Sequence, residues 1–335
     1  MQGAFILIVI VLYLGLLMLI SYLTSRKGAD NEAFFRANKQ SKWYVVAFAM
    51  IGTSISGVTF ISVPGMVRNL DMTYMQMVFG FFFGYLVIAY VLLPLYYKLN
   101  LTTIYGYLDQ RYGPKSYKTG AWFFLISKIV GAAARLYLVA FILQSLVFDA
   151  WGVPFVVTVI GIILVIWMYS HKSGIKTIIW TDWLQTLLFL TALVLIIFEI
   201  TSRLNFGFSD TVAAIKNSPH SRIFVFDDWR STQNFFKQFF SGMFITIVMT
   251  GLDQDQMQKN LTIKSLKDAQ KNVVSYGLAF APVNFLFLCL GVLLLVFAEQ
   301  TGIVLPEVSD NILPHIAGQY LGNTVLGIFI VGIVA

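Results

Sequence analysis

Three features predict an all-α membrane protein. Hydrophobic residues make up 58% of the 335-residue chain and charged residues only 12%, about half the charged share of an ordinary soluble domain. Apolar runs that meet or approach the roughly 20 residues needed to cross a bilayer core of about 30 Å recur along the whole chain. None of these runs alternates polar and apolar residues at period two, as the strands of a membrane barrel do. With 30 Phe, 16 Tyr and 7 Trp and a mean hydropathy of +0.77, disorder, collagen-like repeats and a disulfide scaffold are excluded. The single cysteine, Cys289, can make neither an intrachain disulfide nor a thiolate cage. The net charge of +7 is spread over loops between apolar runs, which is membrane topology rather than a nucleic-acid footprint.

Nine membrane segments are predicted, at 3–24, 43–65, 72–97, 118–148, 153–170, 178–200, 235–251, 272–298 and 321–335. The first has no basic stretch before it and no small-residue cleavage site after it, so it reads as a retained helix rather than a signal peptide. Counting Lys and Arg in the loops orients the rest. One set of loops, around 26–42, 98–118, 172–176 and 259–271, carries 15 of them; the alternate loops carry 5, namely Arg68, Arg203, Lys216, Arg222 and Arg230. The richer set belongs in the cytoplasm, which places the N-terminus outside and makes the protein multi-pass in the plasma (inner) membrane. The connection 201–234 is then external and mixes charge with aromatics, so it is expected to fold over the membrane face. The whole of 1–335 reads as one transmembrane domain. The last segment stops after about 15 apolar residues, short of a full span, and reads as a helix cut within its length.

Polar groups in hydrocarbon are costly and mark sites. The second segment reads Gly52-Thr53-Ser54-Ile55-Ser56-Gly57-Val58-Thr59-Phe60-Ile61-Ser62-Val63-Pro64-Gly65, with five hydroxyls and two glycines ahead of the Pro-Gly pair. Such a helix can break near mid-membrane around a cavity. Freed carbonyls there suit a hard cation such as Na⁺, and the freed amides of the next half-helix suit an anion. Hydroxyls bonded back to the preceding turn, with glycines for close packing, are the plainer reading of the same residues. In the sixth segment Asp182 and Gln185 share a helix face just inside the cytoplasmic boundary. Asp182 reads as a helix-start carboxylate, a cation ligand or a gate partner. Arg135 lies deep in the fourth segment, where a guanidinium is expected to face a carboxylate or a solute. Lys128, nearer the interface, can snorkel. Asp253, Gln254 and Gln258 form a polar patch at the cytoplasmic mouth, either a solvated helix end or the lining of an inner vestibule. Gln76, early in the third segment, joins Ser56, Thr59, Arg135 and Asp253 as a candidate for contact with solute. His171, His220 and His315 read as surface residues. No cluster at metal-ligand spacing, nucleophile elbow, phosphate loop or dinucleotide motif occurs, so no enzyme is expected.

Four stretches then resemble the sodium:solute symporter family, which includes Na⁺/proline, Na⁺/sugar, pantothenate, monocarboxylate and sialic acid transporters. They are the glycine and hydroxyl run ending in Val63-Pro64-Gly65, the loop Leu101-Thr-Thr-Ile-Tyr105-Gly-Tyr107-Leu-Asp109-Gln-Arg111-Tyr112-Gly113, the run Trp180-Thr181-Asp182-Trp183-Leu184-Gln185, and Asp253-Gln254 with Gln258-Lys259. The resemblance implies a LeuT-like fold of two inverted five-helix repeats with one additional N-terminal helix. Here the first repeat would span 43–200, and an incomplete second would begin at 235, after the external loop 201–234, and stop in the eighth core helix. The loop count agrees, because an odd number of spans inverts the second repeat. The resemblance also implies a sodium site on carbonyls of Gly52 and Ile55, completed by hydroxyls beyond Ala335; Asp182, from the reading of its helix face, is a further sodium candidate. Sugar-carrying relatives place Gln where Thr59 stands and Lys where Phe280 stands, so a sugar is disfavoured. Ser56, Thr59 and Arg135 resemble the carboxylate contacts of sialic acid carriers. The expectation is therefore a sodium-coupled symporter of a small organic solute, with a carboxylate-bearing one favoured by the resemblance, and with the solute, Na⁺ and the bilayer as its partners and the oligomeric state open. The alternative is a transporter-like sodium- or solute-sensing module of a signalling protein.

Overall fold

The structure, a computed structural model, describes residues 2–24, 35–55, 57–101, 103–170 and 174–334. Among them the regular elements are helical, and Ser41 and Ile263 form an isolated β-bridge. Helix α1 is Gln2–Thr24. Helices α2 (Trp43–Ser54) and α3 (Gly57–Leu70) make one span bent by 61°. Helix α4 runs from Tyr74 to Lys98, α5 from Gly106 to Tyr112, and α6 (Pro114–Leu143) continues through a wide turn to Phe148. Helices α7 (Phe155–Ser170) and α8 (Ile175–Arg203) follow. After α9 (Phe208–Asn217) in the long connection, α10 (Phe235–Gly251) and α11 (Gln254–Leu261) form a second bent span, at 66°. Helices α12 (Leu266–Thr301), α13 (Ile312–Gln319) and α14 (Asn323–Val334) complete the described chain. Among the described residues each expected membrane segment is helical, the second apart from its break at Ile55, with ends shifted by a few residues. Five described helices have the length and apolarity to cross a membrane, or seven if each bent pair is one span.

The fold gathers the two sets of loops at opposite ends. At the basic end, Ser41 N–H donates to Thr262 O at 3.3 Å, Arg36 Nη2 to Asn100 O at 2.7 Å, and Tyr97 OH to Ile263 O at 2.7 Å. At the other end, Arg68 Nη1 donates to Pro306 O at 2.5 Å, Asn69 Nδ2 to Ser309 Oγ at 2.9 Å, and His220 meets Asp71 at 3.0 Å. His315 lies beside Tyr320, and His171 falls outside the described residues.

The core forms where the bent spans meet α4, α8 and α12. Phe60 of α3, Phe189 of α8, Phe287 of α12 and Phe329 of α14 stack around one another with ring centroids 4.9 to 6.0 Å apart, the spacing at which aromatic pairs gain beyond simple burial. Helix α10 lies along α4 with almost nothing between them. A Cβ at Gly80 would lie 2.0 Å from Phe239 O, and one at Gly242 would lie 2.2 Å from Met77 O. Lipid supplies no hydrophobic drive between helices, so association rests on such close contact between small residues. Helix α6 sits at the periphery, with only 6% of its membrane window buried.

Candidate functional site

Gly52, Thr53 and Ser54 end α2 because glycine weakens the helix and hydroxyls offer the backbone competing bonds. Ile55 is extended, at φ −97° and ψ 102°, and its N–H still closes on Ile51 O at 2.9 Å. The span restarts at Gly57. Gly52 N–H donates to Thr186 Oγ1 of α8 at 3.0 Å. A Cβ on Gly52 would fall 2.2 Å from that oxygen, so the close crossing of α2 over α8 needs glycine here. Thr59 lies in the first turn of α3, partly buried. Ser56 lies outside the described residues.

The second break, at Leu252 and Asp253, went unread in the sequence, where this stretch reads as a solvated helix end or as the lining of an inner vestibule. Asp253 Oδ1 caps α11 by accepting from Asp255 N–H at 2.9 Å and Gln256 N–H at 3.2 Å. Its other oxygen pairs with Lys128 Nζ at 2.8 Å, so the snorkelling lysine ends on a carboxylate. Tyr96 OH donates to Gly251 O at 2.9 Å. Asp253, a candidate for solute contact, therefore serves as a helix cap here. Gln254 accepts from Ile104 N–H at 2.9 Å and Gln258 donates to Phe35 O at 3.0 Å, so both tie α11 to other segments of the basic end.

A buried ion pair joins the two bent spans. Lys259 of α11 is 1% exposed and donates to Asp182 Oδ2 of α8 at 2.5 Å and to Thr53 Oγ1 of α2 at 2.7 Å. Thr53 in turn donates to Asp182 Oδ2 at 2.9 Å. Asp182, expected to meet a cation, meets the ammonium of Lys259. Below it, Asn272 Nδ2 donates to Asn260 Oδ1 at 2.6 Å, and both amides approach Met50 Sδ, at 3.4 and 3.6 Å. Removing one member of a buried pair strands a charge, at a cost of about 3 to 5 kcal/mol. The pair therefore fastens the basic-end halves of both bent spans to α8.

Two further candidates stand apart. Gln76 is fully buried; its Nε2 donates to Gln233 O at 2.9 Å and Thr73 O at 3.2 Å, and its Oε1 accepts from Val225 N–H at 3.0 Å. It ties α4 to the 201–234 connection. Arg135 is exposed on peripheral α6 and forms no hydrogen bond or ion pair among the described residues. The α6 sequence itself gives little sign of which face turns inward. At the end opposite the basic loops, a cavity of about 480 Å³ is lined by Arg68, His220, Glu299, Leu295 and Leu305, among others. No group of three or more His, Cys, Asp or Glu that could hold a metal occurs among the described residues.

A family model described as sodium:solute symporter family matches residues 34–335. The sodium/sialic acid symporter NanT of Aliivibrio fischeri is 25% identical over 330 residues, covering 96% of this chain and 64% of its own length. SiaT of Proteus mirabilis, also a sodium/sialic acid symporter, is 25% identical over 334 residues, 96% of this chain and 65% of its own. The sodium-dependent multivitamin transporter of Oryctolagus cuniculus is 30% identical over 226 residues, 67% of this chain and 35% of its own. This chain thus spans just under two thirds of the curated symporters it matches most fully. A solved structure of a Na⁺-coupled sialic acid symporter, substrate-bound and outward-open, superposes with a TM-score of 0.87 at 23% identity, over 98% of this chain and 68% of that one.

Proposed function

The chain belongs to the sodium:solute symporter family and has its LeuT-like fold, and on that premise we propose that it is the sodium-coupled carrier of a small carboxylate-bearing solute. The observation that carries this reading is the break at Ile55, where a membrane span leaves the helical conformation and turns by 61°. Such a turn inside hydrocarbon is tolerated where its peptide groups have a partner. Carbonyls of Gly52 and Ile55 are the oxygen ligands that suit Na⁺, and the first turn of α3, with Thr59, suits the solute carboxylate through its amides and dipole; Ser56, which precedes it in the sequence, is the second hydroxyl of this reading. Sodium and solute on either side of one break stabilise the same bent conformation. Each then binds more tightly when the other is present, a coupling of about 1 to 3 kcal/mol.

The basic end faces the cytoplasm by the excess of Lys and Arg, which puts the N-terminus outside. The Lys259–Asp182–Thr53 cluster closes that end and acts as an inner gate. A sodium ion can reach Asp182 only after the ammonium withdraws, since one carboxylate oxygen already receives both Lys259 and Thr53. Solute entry draws on the sodium gradient and on about 2.3 kcal/mol per charge for each 100 mV of membrane potential. Two of the relatives are named for sialic acid, which is a carboxylate, and that supports the solute class. The test is uptake of labelled sialic acid and of a short monocarboxylate into liposomes holding the full protein, with and without an inward Na⁺ gradient. Gradient-dependent accumulation of either is expected; equal uptake in both conditions overturns the coupling.

A further inference from the structure

The cavity at the end opposite the basic loops joins parts of the chain that lie far apart in sequence. Arg68, near the end of α3, forms one wall, and Leu295 and Glu299, in the last two turns of α12, form another. Ile303 and Leu305 come from the segment after α12, and His220 from the long connection. The contacts around it hold this arrangement without filling it: Arg68 Nη1 donates to Pro306 O, Asn69 Nδ2 donates to Ser309 Oγ, and His220 Nδ1 lies 3.0 Å from Asp71 Oδ1. At about 480 Å³ the cavity falls in the range of sites for small organic molecules, about 300 to 1,000 Å³.

Its chemistry is a pair of opposite charges on an aliphatic wall. A guanidinium donates through several N–H groups, and among the described residues Arg68 uses one, on Pro306 O. Glu299 is exposed and makes no hydrogen bond or ion pair among the described residues. The two charges thus line one cavity without pairing with each other, and each is left to water or a ligand. His220, the third titratable group there, is engaged by Asp71. A simple anion would be drawn to Arg68 and opposed by Glu299, and a simple cation would meet the reverse. Only a molecule carrying both charges gains at both, and its body has Leu295, Ile303 and Leu305 to lie on.

We infer that this cavity binds a small zwitterion with an apolar body, its anionic group on Arg68 and its ammonium on Glu299. That chemistry is shared by two sources, a free amino acid or short peptide and the headgroup of phosphatidylethanolamine. The occupant joins α3, one half of the first bent span, to α12 and to the long connection, and so stiffens that end of the molecule. The site needs neither sodium coupling nor the solute assigned above, since a solute carrying only a carboxylate satisfies Arg68 alone.

The experiment is thermal unfolding and calorimetric binding of the full protein in detergent with leucine and leucyl-leucine, which space their charges differently. The N-acetyl forms of both lack the ammonium and the amide forms lack the carboxylate, while the body is kept. At least one parent ligand is expected to raise the melting temperature and to bind about tenfold more tightly than its amide and about threefold more tightly than its N-acetyl form, the second step being smaller because Glu299 is exposed to water. Glu299→Gln should abolish the preference over the N-acetyl form, and Arg68→Gln the preference over the amide. Should Arg68→Gln lose its hold on Pro306 and fail to fold, Glu299→Gln, which breaks no contact among the described residues, still decides. For the lipid source, the native protein and Glu299→Gln are melted in nanodiscs of phosphatidylethanolamine and of phosphatidylglycerol; extra stability in phosphatidylethanolamine that Glu299→Gln removes assigns the site to lipid. The inference is overturned if leucine, leucyl-leucine and phosphatidylethanolamine all fail to stabilise the protein, if parent and capped ligands bind alike, or if the preference for the zwitterion persists in Glu299→Gln, which would place the ligand elsewhere. None of these readouts involves Na⁺, so the symport reading can fail with this site intact, and the reverse.

Discussion

The two bent spans turn by similar angles, 61° and 66°, and are held in different ways. At the second, the corner is closed by its own sequence and its immediate neighbours: Asp253 caps α11, Lys128 balances Asp253, and Tyr96 takes the carbonyl of Gly251. At the first, the described side chains reach outward instead. Gly52 and Thr53 lean on α8, Ser54 leans on α12, and Thr53 also receives Lys259 from the second span. A corner with its own cap keeps that restraint even when Lys128 of α6 or Tyr96 of α4 moves away. A corner held by other helices keeps its shape only while they stay, which is the property a gated site needs.

The largest expected effect separates these two modes. Lys259→Met should destabilise the protein in detergent by about 3 to 5 kcal/mol, because Asp182 is left buried without its cation. Lys259→Arg should lose much less, and adding Asp182→Asn to Lys259→Met should recover part of the loss. If chemical unfolding finds Lys259→Met as stable as the native protein, the first break does not depend on its neighbours. Next comes Gly52→Ala, whose Cβ must displace Thr186 Oγ1 from 2.2 Å; overpacking of this kind costs about 1 to 3 kcal/mol. A melting temperature equal to native would show that α2 and α8 can part freely. Asp253→Ala removes a helix cap and should cost about 1 kcal/mol by the same unfolding measurement. Asp253→Asn keeps the cap and loses only a partly exposed ion pair, a change of about 0 to 1 kcal/mol. If Asp253→Asn costs as much as Asp253→Ala, then Lys128 rather than the cap holds the second corner.

The helical spans were legible in the sequence because apolar length alone specifies them, and the division of the loops into two sets followed from Lys and Arg. The first break was legible because glycines and hydroxyls are dense between Gly52 and Thr59. The second was not: one aspartate serving as an N-cap in mid-span looks the same as a polar exit to water until the helix beyond it is seen to continue. Lys259 was visible only as part of a motif, since Asp182, its partner, lies 77 residues away. Tyr276, the α12 residue on which Ser54 leans, was indistinguishable from other core aromatics, because nothing local shows where a phenol ends. Gln76 drew attention as a buried amide, yet its partners belong to a connection some 150 residues on, and the sequence could not show that they use up its donors and acceptors. The exposed position of Arg135 on α6 was not legible, because a helix without an amphipathic face carries no directional signal.

The backbone contact of Gly80 and Gly242 has a practical use. With no layer of side chains between α4 and α10, nothing there can slide or repack, so the two helices travel as a single bar. Probes attached at Phe83 and Phe240, which stand on the outside of that bar, form an internal fiducial of fixed length against which displacements of α3, α11 or α12 during turnover can be measured by spin-label spectroscopy.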